Sequence, residues 1–129
     1  MADPILDASA VLAVIFEEAG ADRVATYLPG ARISAINAAE VMSKLADLGM
    51  PDDTIDAIMD DLQLTVLPFD AVHARESARL RPLTRPLGLS LGDRGCLAVA
   101  KQFEAPVLTT DRTWARLDDA VGVTIELLR

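Results

Sequence analysis

The sequence predicts an α/β domain whose central, mostly parallel, five-stranded sheet carries helices on both faces. The chain has 129 residues, the usual length of one domain, so we expect a single domain over residues 1–129. Its hydrophobic content of 51% is sufficient for a core and excludes a disordered chain. Short apolar segments alternate with longer segments of helical periodicity, which is the order that parallel strands and crossover helices require.

The first elements are marked by apolar runs and by a turn signal. Residues 4–6 (PIL) predict a short buried strand, and the apolar residues that follow predict a helix over residues 9–16. A second helix is predicted over residues 20–28 and ends at Pro29-Gly30, a typical turn dipeptide. Residues 32–34 (RIS) predict the next strand.

Apolar residues at helical spacing dominate the middle of the chain. They predict a helix over residues 35–48, and Gly49 suits the position that follows its last turn. Pro51 is favourable in the first turn of another helix, which we expect to run to residue 62. Residues 64–67 (LTVL) predict a third strand.

The last part of the chain begins with a helix that we expect to open at Asp70. Residues 81–89 hold two prolines and a glycine, which predict a loop before a helix over residues 91–103. The remaining predicted elements are a strand at residues 106–108, a short helix at 113–117 and a last strand at 123–127.

Charge and cysteine content limit the classes of function. The net charge of −8 argues against indiscriminate binding of nucleic acid. Residues 1–69 hold twelve acids and three bases, whereas residues 70–117 hold five acids and eight bases. The second region is therefore basic enough to allow local contacts with phosphate groups, with a solvated helix face as the alternative. The lone Cys96 and the lack of a basic leader indicate a cytoplasmic protein, and no apolar run is long enough for a membrane span.

Four carboxylates follow four of the predicted strand or loop segments, each where a helix begins. They are Asp7, Glu40, Asp93 and Asp111. Ligands of open α/β sheets bind beyond the carboxyl ends of the strands, so these acids are the candidate site. Taken singly, each acid also suits a helix cap, and two pairs resemble capping boxes, namely Asn37 with Glu40 and Ser90 with Asp93.

The four acids together favour a metal site. Carboxylates that converge at one sheet edge repel each other, and a multivalent cation removes that repulsion. The ligands would be oxygen atoms alone, because the only histidine, His73, and the only cysteine, Cys96, lie outside these junctions. Such a ligand set suits Mg²⁺ or Mn²⁺, which assist phosphodiester cleavage in metal-dependent nucleases.

Around these acids, four segments resemble the PIN-domain ribonucleases, and among them the VapC-type toxins of type II toxin–antitoxin systems. The segments are residues 6–12 (LDASAVL), 34–41 (SAINAAEV), 89–98 (LSLGDRGCLA) and 106–112 (PVLTTDR). The resemblance covers nearly the whole chain. It implies a PIN-like three-layer α/β/α fold and an endoribonuclease that requires Mg²⁺ or Mn²⁺. It also implies a homodimer, and a cognate VapB-type antitoxin that binds and inactivates the protein.

The resemblance also assigns roles to residues. The catalytic and metal-binding quartet is carried over to Asp7, Glu40, Asp93 and Asp111. Residues that would orient the acids or the metal are Ser9, Asn37 and Thr109. Arg94 and Arg112, each beside an acid, are candidates for contact with substrate phosphate, with plain surface roles as the alternative.

Three alternative functions must be compared with this interpretation. A PIN-like RNA-binding module without catalysis would share the fold, but the intact quartet speaks against it. A receiver-like signalling domain would need adjacent acids after the first strand and a lysine after the last, and neither is present. A haloacid-dehalogenase-type phosphatase would need Asp-x-Asp after the first strand, where the sequence has Asp7-Ala8-Ser9.

Overall fold

A computed structural model of the protein describes residues 3–129, with a five-stranded sheet at its centre. The strands are β1 (Ile5–Leu6), β2 (Arg32–Ser34), β3 (Thr65–Leu67), β4 (Val107–Thr109) and β5 (Ile125–Leu127). The α-helices are α1 (Ala8–Ile15), α2 (Ala21–Ala25), α3 (Ala35–Asp47), α4 (Asp52–Leu62), α5 (Ala71–Arg79), α6 (Arg81–Thr84) and α7 (Leu91–Gln102). There are also three 3-10 helices, which are Arg85–Leu87, Arg112–Arg116 and Asp119–Val121.

The sheet has the strand order β3-β2-β1-β4-β5, and all four pairings are parallel. The chain moves outward from β1 to β3 on one side and then returns to place β4 on the other side of β1. The strand order therefore reverses between β1 and β4, and a crevice forms at the carboxyl ends of these two strands. Whatever follows Leu6 and Thr109 lies at that crevice.

Side chains alternate between the two faces of the sheet, and each face has its own core. On β1, Ile5 packs into one cluster of buried side chains and Leu6 into the other. On β4, Val107 and Leu108 divide in the same way. Buried residues of α7 belong to the first cluster, whereas those of α1, α3 and α4 belong to the second. The result is the three-layer α/β/α arrangement that the sequence predicts.

Most predicted elements are confirmed with their ends shifted by one to three residues. The loop predicted for residues 81–89 is wrong. The predicted loop is largely helical, because it forms α6 and the 3-10 helix Arg85–Leu87. Its prolines lie in the first turns of these helices, where a backbone N–H has no helical partner. Gly88, at φ +68°, then ends the segment.

The C-terminal region differs from prediction in smaller ways. The short helix predicted at residues 113–117 is the 3-10 helix Arg112–Arg116, and a second 3-10 helix, Asp119–Val121, was not predicted. Trp114 is buried and anchors this region to the core on the α7 side of the sheet. Between residues 3 and 129, we find no helix with the length and apolar character of a membrane span.

Candidate active site

Asp7 lies directly after β1, at the point where the strand order reverses. It is the N-cap of α1, and its Oδ1 accepts a hydrogen bond from the Ala10 backbone N–H at 2.9 Å. The Ser9 hydroxyl donates to the same carboxylate at 2.8 and 2.9 Å, and the Thr109 hydroxyl donates to Oδ2 at 2.6 Å. The residue is only 2% exposed. The cap expected from the sequence is present, but this acid is also held inside the protein by donors from α1 and from β4.

Burial raises the pKa of Asp7 from 3.8 to about 6. The hydrogen bonds from Thr109, the Ala10 N–H and Ser9 lower this pKa, whereas the negative charge of Asp93 raises it. Desolvation of the carboxylate therefore exceeds the stabilisation that its donors provide. A cation at this position would remove that penalty.

Glu40 lies on α3 and faces α7. Its Oε1 accepts a hydrogen bond from the Asn37 side-chain Nδ2 at 2.7 Å, and the same Nδ2 donates to the Gly92 carbonyl at 3.0 Å. Partial burial raises the pKa of Glu40, the Asn37 hydrogen bond lowers it and the charge of Asp93 raises it. The pairing of Asn37 with Glu40 is not the capping box that the spacing suggested, because the N-cap of α3 is Ser34.

Asp93 is in the first turn of α7 and is partly exposed. Here the predicted capping box is confirmed: Asp93 Oδ2 accepts from the Ser90 N–H at 3.0 Å, and Ser90 Oγ accepts from the Asp93 N–H at 3.2 Å. The charge of Asp93 raises the pKa of both Asp7 and Glu40, so it acts on acids from two other elements.

Cys96 lies within range of the charges of three of these acids. Burial raises the pKa of its thiol well above the ordinary value, and the charges of Asp7, Asp93 and Glu40 raise it further. The side chain has no exposed surface and packs in the core on the α7 side of the sheet. It is therefore a small buried apolar residue.

Asp111 follows β4 and is connected to Asp7 through Thr109. Its backbone N–H donates to Thr109 Oγ1 at 3.0 Å, and that hydroxyl is the one that donates to Asp7. Its side chain caps the 3-10 helix Arg112–Arg116 by accepting from the Thr113 N–H at 2.9 Å. The contacts of this side chain join it to its own helix rather than to the other acids.

The two candidate phosphate-binding arginines have different surroundings. Arg94 is partly buried, and its Nη1 donates to the Ser77 carbonyl of α5 at 3.0 Å. This contact holds α7 against α5, so the guanidinium already has a structural partner. Arg112 is exposed at the start of its 3-10 helix.

The sequence predicts no role for Gly92. Its contact with α3 depends on how closely α3 and α7, which are distant in sequence, approach each other in the folded protein.

The donor set fits a divalent cation in its chemistry. The acids provide carboxylate oxygens, and no ion pair between residues 3 and 129 joins Asp7, Glu40, Asp93 or Asp111 to a basic side chain. The buried Oδ1 of Asn37, whose Nδ2 donates to Glu40, has no hydrogen-bond partner of its own in the described part of the chain. In the described part of the chain, however, no three acidic, histidine or cysteine side chains form a group that could hold a metal as they stand. The four acids therefore do not form a preassembled metal cage in this structure.

Comparisons with known proteins agree with this architecture. A family model described as PIN domain matches residues 5–120. A DNA-bound VapBC from Salmonella typhimurium has a TM-score of 0.74 at 19% identity, with 100% of both chains covered. A toxin–antitoxin complex from Klebsiella pneumoniae has a TM-score of 0.72 at 18% identity, with 98% of each chain covered. VapBC-5 from Mycobacterium tuberculosis has a TM-score of 0.59 at 25% identity, covering 100% of this chain and 99% of that one. No curated protein matches the sequence significantly.

Proposed function

Because this chain belongs to the PIN domain family, whose members are nucleases that generally use divalent metal ions, we propose that it is an endoribonuclease dependent on Mg²⁺ or Mn²⁺. We propose also that it acts as the toxin of a type II toxin–antitoxin pair. The observation that supports the nuclease proposal best is the buried Asp7 carboxylate at the reversal of strand order, beside the charge of Asp93.

In this proposal, Asp7, Glu40 and Asp93 hold the ion directly or through water, and Asp111 completes the site. When bound, the ion supplies Lewis acidity to a water molecule and to the scissile phosphodiester. The chain itself supplies orientation: Ser9 and Thr109 fix both oxygens of the Asp7 carboxylate. Rigid support of this kind matters because small displacements of a metal ligand lower metal affinity.

The partner in this proposal is a cognate VapB-type antitoxin, and the protein itself forms a homodimer. The sequence resemblance supports both, and the similar solved structures include toxin–antitoxin complexes. The substrate in this proposal is RNA. The negative net charge does not prevent phosphate binding, because the basic residues concentrate between positions 70 and 117. A cytoplasmic location follows from an RNA substrate and from a single buried cysteine.

A cleavage assay with purified, antitoxin-free protein tests the nuclease proposal. We expect RNA to be cut in the presence of Mg²⁺, cleavage to stop with EDTA, and cleavage to return when Mn²⁺ is added. Asp7→Asn and Asp93→Asn are expected to abolish cleavage, and the exposed Asp60→Asn on α4 is the matched control. Cutting by Asp7→Asn at the wild-type rate would refute the assignment. Binding of RNA without cleavage by the wild-type protein would favour the non-catalytic alternative.

A further inference from the structure

One side-chain amide joins α3 to α7 beside the candidate metal ligands. Asn37 is 1% exposed, and its Nδ2 donates to two acceptors, Glu40 Oε1 on α3 and the Gly92 carbonyl on α7. Both amide protons are thereby used. The position of the Glu40 carboxylate is thus tied to the backbone of α7, one residue before Asp93.

Gly92 provides the surface against which this carboxylate lies. A Cβ added to Gly92 would be 2.2 Å from Glu40 Oε1, 2.3 Å from Cδ and 2.5 Å from Oε2. No L side chain fits there unless the carboxylate moves. Glu40 is flexible and partly exposed, so it would move at little cost to folding, but it would leave the place that Asn37 gives it.

The backbone does not explain why position 92 is a glycine. Gly92 lies within α7 and is absent from the residues with positive φ, so alanine is compatible with its conformation. Alanine is also the better helix former, since glycine in a helix loses more conformational entropy on folding. The contact with Glu40 is therefore the feature that a substitution at Gly92 changes.

We propose that Asn37 and Gly92 act together as positioning residues for Glu40. Because glycine has no side chain, Gly92 leaves the space that the Glu40 carboxylate occupies, and the Asn37 amide holds the carboxylate there by a hydrogen bond. This inference rests on the proposed function, because Glu40 is positioned as a ligand of the divalent ion. It adds Gly92 to the residues that support the site.

The same helix offers a matched control. Gly95 lies one turn further along α7, and a Cβ there would be 2.9 Å from Ile36 Cγ2 and 3.0 Å from Phe69 Cε2. Gly95→Ala therefore crowds the apolar contact between α7 and its neighbours without touching Glu40. Comparison of the two alanine variants separates crowding of the helices from displacement of the carboxylate.

The test measures Mn²⁺ affinity by titration calorimetry together with urea unfolding in EDTA. Gly92→Ala is expected to raise the Mn²⁺ dissociation constant about tenfold or more, the effect typical of losing a residue that supports a metal ligand. Its stability in EDTA should equal or exceed that of the wild type. Gly95→Ala should change stability and leave the dissociation constant within about twofold.

A double-mutant cycle shows whether Gly92 acts through Glu40. In a Glu40→Gln background, the further change Gly92→Ala should have no additional effect on Mn²⁺ affinity. The proposal is overturned if Gly92→Ala keeps wild-type affinity, or if it lowers affinity equally in both backgrounds.

A metal-free measurement separates this proposal from the proposed function. In the NMR spectrum of the EDTA-treated protein, the Asn37 side-chain amide protons should exchange slowly in the wild type and in Gly95→Ala, and quickly in Gly92→Ala. Unchanged exchange in Gly92→Ala overturns the positioning role. Wild-type protein that binds no Mn²⁺ refutes the proposed function, and the Asn37 amide signals then decide alone whether Gly92 and Asn37 position Glu40.

Discussion

Replacement of Asp7 by asparagine should make the metal-free protein more stable at neutral pH. The same replacement should remove the gain in stability that Mn²⁺ gives the wild type. Asparagine has nearly the shape of aspartate and carries no charge. Its oxygen can keep the hydrogen bond from the Ala10 N–H that caps α1. The change therefore removes a buried charge and leaves the helix cap in place.

The size of the effect follows from the pKa of Asp7, which burial raises from 3.8 to about 6. A shift of about two pKa units corresponds to about 3 kcal/mol. The folded protein holds the proton more tightly than the unfolded chain, so the free energy of unfolding falls as pH rises from about 4 to about 6 and stays lower above that. Asparagine avoids this loss but weakens the hydrogen bonds from Ser9 and Thr109, so we expect a net gain of about 1–3 kcal/mol at pH 7.5.

Urea unfolding in EDTA, followed by fluorescence, is the assay. Trp114 is the only tryptophan and is buried, so it reports the loss of the core. With Mn²⁺ at a hundred times its dissociation constant, the wild type should gain about 2.7 kcal/mol and Asp7→Asn should gain almost none. Asp60→Asn, an exposed position on α4, controls for the general effect of removing one negative charge. An Asp7→Asn variant that is less stable than the wild type in EDTA at pH 7.5 would refute this reasoning.

Three further substitutions test the packing and the caps. Leu97→Ala in the core should lower the free energy of unfolding by about 2–5 kcal/mol in urea titrations, because Leu97 has no exposed surface; a loss below 1 kcal/mol would contradict its placement. Ser90→Ala should cost about 1 kcal/mol, since Ser90 caps α7 through Asp93; equal stability to the wild type would mean that this capping box contributes nothing. Arg94→Ala should lower the free energy of unfolding by about 1–3 kcal/mol, because the guanidinium donates to the buried Ser77 carbonyl. It should leave RNA affinity in a filter-binding assay nearly unchanged. Unchanged stability with weaker RNA binding would instead support the phosphate-contact role.

The fold was largely predictable because its signals are local. Ile5 and Leu6 alternate between the two cores as a buried strand requires, and Gly49 ends α3 with φ +87°. Residues 81–89 show the limit of such signals. Proline and glycine predicted a loop, but prolines at the first turns of short helices are compatible with helix, and only the structure distinguishes the two cases.

The candidate site was predictable in its residues but not in its contacts. Asp7 was identifiable because an acid directly follows a buried strand, and the structure adds that Thr109, from a strand distant in sequence, donates to it. The contact of Gly92 with Glu40 has no local signal. It depends on the approach of α3 and α7, which packing sets and which neither helix encodes alone.

Crystals of the antitoxin-free protein grown with Mn²⁺ give the most direct measurement, through the anomalous scattering of the ion. We predict one strong peak bounded by the carboxylates of Asp7, Glu40 and Asp93, and its loss in crystals of Asp7→Asn. A map with no peak there at millimolar Mn²⁺, or with peaks only beside the exposed acids of α4, would contradict the assignment of these residues to a metal-dependent nuclease site.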